Sequence, residues 1–152
     1  MARDKGLLVD WGAADMTPRR IAVFFYGLFM DVNLLKKKGA RPVRVRRARL
    51  PGFQLRIGQR ATLLPDSESC AYGLVMELTH SEVERLYSEA SVRAYQPEAV
   101  LVELADGSRV PALCFNLSTP PGPEEANPEY AAKLRDLARK LGLPKTYADT
   151  IR

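Results

Sequence analysis

The run Ile21-Ala22-Val23-Phe24-Phe25 holds no polar residue and is halted by Tyr26-Gly27. An unbroken apolar run of this length has no wet face, so it predicts a central strand buried on both sides. After Tyr26-Gly27, Asp31 is placed to cap a short helix through Leu34, Leu35 and Lys36–Lys38, and Gly39 to stop it. The order strand, tight loop, helix leaves backbone N–H groups near Gly27, Leu28 and Phe29 open to an anionic group.

Downstream the apolar residues fall into short pieces. Val43 to Leu50, Phe53-Gln54-Leu55-Arg56-Ile57 and Ala61-Thr62-Leu63-Leu64 are punctuated by Pro51-Gly52 and Gly58, and predict strands of a meander joined by tight turns. Pro65-Asp66-Ser67-Glu68-Ser69 predicts a further turn before a strand over Ala71–Leu78. Ser81-Glu82-Val83-Glu84 fits a capping box opening a helix through Leu86. Pro97 bars helix beyond Tyr95, and Ala99–Leu104 and Val110–Phe115 form a hairpin across Ala105-Asp106-Gly107-Ser108. Asn127 and Pro128 open the strongest helix, whose apolar stripe is Tyr130, Leu134, Leu137, Ala138 and Leu141, with Gly142 as its stop.

The 152 residues, 46% of them hydrophobic, suffice for one core. One domain is expected over residues 20–152, preceded by an extension, residues 1–19, without sustained periodicity. No window approaches about 18 consecutive apolar residues and no apolar leader follows the N-terminus, so no membrane contact is expected. Cys70 and Cys114 match no zinc or iron–sulfur spacing and read as buried free thiols of a cytoplasmic protein. His80, the only histidine, reads as a solvated residue ahead of a helix.

The formal charge is +5, and it is unevenly spread. Between Lys36 and Arg60 stand Lys36, Lys37, Lys38, Arg41, Arg44, Arg46, Arg47, Arg49, Arg56 and Arg60, with no Asp or Glu. Such a segment can contact an anionic partner, but it has only Phe53 for base stacking. A charged strand edge that resists edge-to-edge pairing accounts for it better than nucleic-acid binding.

Three segments resemble the gamma-glutamylcyclotransferase family. The first is Val23-Phe24-Phe25-Tyr26-Gly27-Leu28-Phe29-Met30. The second is Ala48-Arg49-Leu50-Pro51-Gly52-Phe53-Gln54-Leu55 with Ala61 and Tyr72-Gly73-Leu74-Val75. The third is Asn127-Pro128-Glu129-Tyr130 with Leu141-Gly142-Leu143-Pro144 and Tyr147. The resemblance implies a mixed α/β (α+β) fold, with a small barrel-like, strongly bent mixed sheet, flanking helices and one pocket at the end of the first strand. It also implies a cyclising C–N lyase chemistry without cofactor or metal. The α-amino group of a gamma-glutamyl amine or peptide attacks its own gamma-carbonyl carbon, giving 5-oxoproline and the free amine, as in glutathione metabolism. The enzyme's task is then to fold the substrate and move protons, which one carboxylate with a raised pKa can do.

By the same resemblance, Tyr26, Gly27, Leu28, Phe29 and Tyr95 bind substrate and Glu89 is the catalytic base. The family's glutamate falls on Ala90 by strict count, so Glu89 takes the role only after a one-residue shift, about 100° around a helix. Leu28 replaces a common serine of the loop. Two other readings stand beside this one. The fold can serve as an inactive binder of an amino-acid-like ligand, or segment 36–60 can bind an anionic partner. The oligomeric state, a homodimer among the options, is left open.

Overall fold

A computed structural model describes residues 18–152, so the extension assigned to residues 1–19 lies almost wholly outside the described residues. Strand β1 spans Arg20–Phe25 and leads through a 3-10 turn, Leu28–Met30, into α1, Val32–Lys37. Then follow β2 (Val43–Ile57), β3 (Ala61–Thr79), α2 (His80–Leu86), β4 (Tyr95–Leu104), β5 (Arg109–Leu117), α3 (Pro128–Lys140) and α4 (Lys145–Ala148).

The five strands close into a barrel in the order β1-β3-β2-β4-β5. All neighbours are antiparallel except β1 and β5, which run parallel with Val23 opposite Leu113. This closure explains the unbroken apolar run: Val23, Phe24 and Phe25 are buried between the barrel and its covering helices. Val75, Met76, Leu78, Val102 and Cys114 complete the most deeply buried layer of the sheet, and Leu35, Leu134 and Ala138 bring the helices onto it.

The helix signals are largely met. The Asp31 carboxylate accepts from the backbone N–H of Asn33 and Leu34, and Gly39 follows α1 with φ +90°. Asn127 caps α3 through Tyr130 N–H, with Pro128 in the first turn. The capping box is displaced by two residues. Thr79 is the cap and Glu82 its partner, so His80 is the first helical residue and is exposed. Thr79 wins because β3 runs up to it, so the extended backbone a cap requires is supplied by the strand.

The meander of short strands is also corrected. Pro51-Gly52 is not a turn between strands: β2 continues through it, with Pro51 opposite Cys70 and Phe53 opposite Pro65. Gly52, at φ +87°, takes up a bulge, and Asp66–Ser69 loop out opposite it. Asp66 holds that loop by accepting from Glu68 N–H and Ser69 Oγ. A glycine bulge bends a strand without ending it, which is how two long ribbons wrap a small barrel. Cys114 is fully buried as expected, whereas Cys70 is only partly so; both are free.

Beyond β5 the chain is tied back over the tip of the β2–β3 hairpin. Arg56 Nη2 donates to Gly122 O at 2.6 Å, Gln59 N–H to Glu125 Oε1 at 3.1 Å, and Asn127 Nδ2 to Gln59 O at 3.1 Å. These contacts set the start of α3 beside the β1 corner. Gly73, opposite Ala48, packs so closely that a Cβ there would lie 2.1 Å from Phe25 O and 3.1 Å from the Phe24 ring. Gly73→Ala is therefore expected to cost about 3 kcal/mol or more in urea unfolding, whereas Gly52→Ala meets only its backbone strain and costs about 1 kcal/mol.

Candidate active site at the first strand-to-helix corner

Where β1 ends, Tyr26 turns its ring into the protein and Gly27 lets the chain pass beneath α3. The Gly27 backbone is extended, φ −111°, so its role is spatial: a Cβ there would stand 2.6 Å from Tyr130 Oη. Leu28 N–H points at the same oxygen, 3.4 Å away. Leu28 and Phe29 open the 3-10 turn, whose first N–H groups have no acceptor within the turn.

Beside this corner lies a hollow of about 50 Å³ lined by Phe25, Tyr26, Gly27, Phe29, Ala61, Tyr87, Val92, Tyr95, Phe115 and Tyr130, with Phe24 behind them. Its walls are a chain of aromatic contacts. Phe29 meets Phe25 edge-on at 5.9 Å and Tyr87 at 5.8 Å, and Tyr87 stacks on Phe115 at 3.9 Å. Arg60 lies 5.9 Å over the Tyr95 ring. The volume admits about one or two waters, so a larger guest requires the walls to part. Two roomier grooves, of about 420 and 500 Å³, meet at Tyr72 and share no residue with the hollow.

Two of the hydroxyls lining the hollow, those of Tyr26 and Tyr95, meet backbone carbonyls. Tyr26 Oη lies 2.7 Å from Phe115 O and 3.0 Å from Asn116 Oδ1, and Tyr95 Oη donates to Ala61 O. Asn116 Oδ1 also accepts from Leu63 N–H at 3.1 Å, while Thr62 Oγ1 accepts from Leu117 N–H at 2.9 Å. Burial raises the phenols of Tyr26 and Tyr87 well above their ordinary value and that of Tyr95 to about 12. Tyr130 is raised for the same reason. These hydroxyls are neutral hydrogen-bonding groups at physiological pH and not bases.

Of the residues assigned to the site from sequence, Tyr26, Gly27, Phe29 and Tyr95 come together around the hollow. Leu28 contributes its backbone N–H there, while its side chain faces a separate depression with Asp31, Leu34 and Lys37. Glu89 lies in the irregular stretch 87–94 after α2, its Oε1 2.8 Å from Lys38 Nζ and its side chain 42% exposed. It does not line the hollow, although Val92, which bonds to Glu89 O through its N–H, does. No carboxylate lines the hollow among the described residues.

Tyr87, Phe115 and Asn116 were not singled out from sequence. Asn116 carried a signal, being an amide inside the apolar strand Ala112–Leu117, where such residues are depleted. Of the ten cations of the basic segment, Lys38 pairs with Glu89, Arg44 with Glu77, Arg49 with Glu103, and Arg56 with backbone carbonyls. No helix of the described residues is long and apolar enough to cross a membrane.

A family model described as gamma-glutamyl cyclotransferase, AIG2-like, matches residues 23–134. The chain belongs to this family. The matched span runs from the barrel's first strand into α3 and so contains every residue lining the hollow. Solved structures of the same fold include one named gamma-glutamyl cyclotransferase, with a TM-score of 0.71 at 20% identity, covering 88% of this chain and 86% of that one. An uncharacterized protein from Homo sapiens superimposes with a TM-score of 0.68 at 22% identity, covering 87% and 86% of the two chains. YkqA from Bacillus subtilis gives 0.65 at 24% identity, covering 92% of this chain but 55% of its own. No curated protein matches significantly.

This member of the gamma-glutamyl cyclotransferase, AIG2-like family is expected to be alkali-sensitive through its tyrosines. Their folded pKa values are raised, so the neutral form stabilises the fold fully below the ordinary value of 10.0. That contribution is lost as pH rises through the folded values, near 12 for Tyr95. Urea stability should fall between pH 10 and 12, and phenolate absorbance should lag behind that of the unfolded chain.

Proposed function

We propose that this chain acts on a gamma-glutamyl amine or peptide in the hollow beside Tyr26–Phe29, releasing 5-oxoproline and the free amine. The observation that carries the proposal is the convergence of Tyr26, Gly27, Phe29 and Tyr95 on one aromatic hollow within the family-matched span. The N–H groups at the start of the 3-10 turn would receive the substrate carboxylate once Tyr130 Oη withdraws from Leu28. Aromatic walls would exclude water and hold the glutamyl chain folded on itself, which is the larger part of the task for a five-membered closure.

In the reaction the α-nitrogen forms a bond to the gamma-carbonyl carbon and the bond from that carbon to the leaving nitrogen breaks. Two protons leave the attacking ammonium and end on the departing amine. The buried phenols hold their protons too tightly to act as the base, so this transfer is assigned to Glu89. Glu89 would reach the hollow only by releasing Lys38 and by a rearrangement of the stretch 87–94, which already supplies Tyr87 and Val92 to the lining.

A second reading is favoured by the Glu89–Lys38 pair itself and by the absence of a carboxylate from the hollow among the described residues. On this reading the chain binds the same class of compound without cyclising it.

A panel of gamma-glutamyl amines and peptides, assayed for 5-oxoproline, separates the two. Turnover that falls on the order of 10²-fold or more in Glu89→Gln supports the enzyme. Calorimetric binding without product supports the binder, and neither binding nor product across the panel contradicts both.

A further inference from the structure

Directly opposed residues of an antiparallel pair share one side of the sheet. On β4 and β5 one side is therefore Pro97, Ala99, Leu101 and Glu103 with Phe115, Leu113, Pro111 and Arg109. The alternate residues Val102, Ala112 and Cys114 are buried in the barrel, so this row looks outward. At one end Tyr87 stacks on Phe115 at 3.9 Å, and at the other Arg109 and Glu103 approach to 3.8 Å. Between them Pro97, Ala99, Leu101 and Pro111 are exposed, with no charged residue among them on this side. Leu101, at 47%, is the most exposed large hydrophobic residue among the described residues. A continuous apolar row of this kind marks a surface that something covers.

The chain itself holds a segment that fits. β1 runs parallel to β5 with Val23 opposite Leu113, and the same course carried back sets Arg20 beside Val110. The residues before Arg20 thus enter one strand away from Pro111 and two from Leu101, about 10 Å at ordinary strand spacing. Trp11 precedes Arg20 by nine residues, enough for about 30 Å of extended chain. In Leu7-Leu8-Val9-Asp10-Trp11 an extended course would put Leu7, Val9 and Trp11 on one side. Residues 10–15 carry Asp10 and Asp15 and no cation, and Arg109, its side chain 65% exposed, stands at the end of the row nearest the entry of β1. The other exposed large hydrophobic residues, Val43 and Val45, lie at the same end of the barrel on β2. They alternate with Arg41, Arg44, Arg46 and Arg47 and form no continuous apolar row.

We infer that residues 7–11 form a strap across the outer face of β4 and β5 of their own chain, with Trp11 against Leu101 and Pro111. The inference is independent of the reading of the hollow.

Trp11 is the only tryptophan, so its fluorescence reports the contact in the full chain. In the wild type its emission should be blue-shifted, and its quenching by acrylamide several-fold weaker, relative to the urea-unfolded chain. Both should be independent of dilution. Leu101→Ser should restore unfolded-like emission and quenching while the circular dichroism of the folded barrel is retained, and Val45→Ser should change neither. Nuclear Overhauser contacts between the Trp11 indole and the methyl groups of Leu101 test the same contact without a substitution. An exposed Trp11 in the wild type, the lack of those contacts, or protection that survives Leu101→Ser overturns the strap. Exposure caused by Val45→Ser instead assigns the segment to β2, and protection lost on dilution assigns the face to a second copy. Either result overturns the inference.

Discussion

The hydroxyl of Tyr26 joins the end of the barrel's first strand to the end of its last. Its contacts with Phe115 O and Asn116 Oδ1 span 89 and 90 positions of sequence and lie where β1 and β5 close the sheet in parallel. A buried phenol left without a partner would cost about 1–3 kcal/mol, so the ring has one orientation, and the hollow forms beneath it. The corner Gly27–Phe29, the stack of Tyr87 on Phe115 and the approach of Tyr130 all take their places from that fixed ring.

The surrounding architecture serves the same closure. The β2–β3 ribbon wraps the barrel because the Gly52 bulge bends it and the looped residues Asp66–Ser69 absorb the excess length. The hairpin tip then anchors the segment before α3 through Arg56, Gln59 and Asn127, which carries Tyr130 to Gly27. Glycine at position 27 is needed for that approach and not for backbone freedom, since its φ is accessible to any residue. The contact of Leu28 N–H with Tyr130 Oη lies outside every strand pairing, so its release would leave the barrel closed.

Local signals were legible in the sequence, and long-range ones were less so. Asp31, Gly39, Asn127-Pro128 and Gly142 mark helix ends by chemistry that acts within a few residues. The strand Ile21–Phe25 announced burial on both faces by its composition. Pro51-Gly52 misled because the same pair suits a turn or a bulge, and only the pairing of Pro51 with Cys70 decides between them. Ser81 was a plausible cap until β3 proved long enough to deliver Thr79. For the site, resemblance pointed to Tyr26–Phe29 and Tyr95. The location of Glu89 depended on a contact across 51 residues that no local pattern encodes.

The account depends on ligands entering at the Tyr26–Phe29 corner and not at the roomier grooves around Tyr72. Backbone ¹H–¹⁵N shifts followed during titration with gamma-glutamylalanine test this most directly. The account predicts that the largest changes fall on Gly27, Leu28, Phe29 and Val92, with Tyr130 responding as it leaves Leu28. Changes confined to residues around Tyr72, Thr146 and Gly142, or none at millimolar ligand, would contradict it.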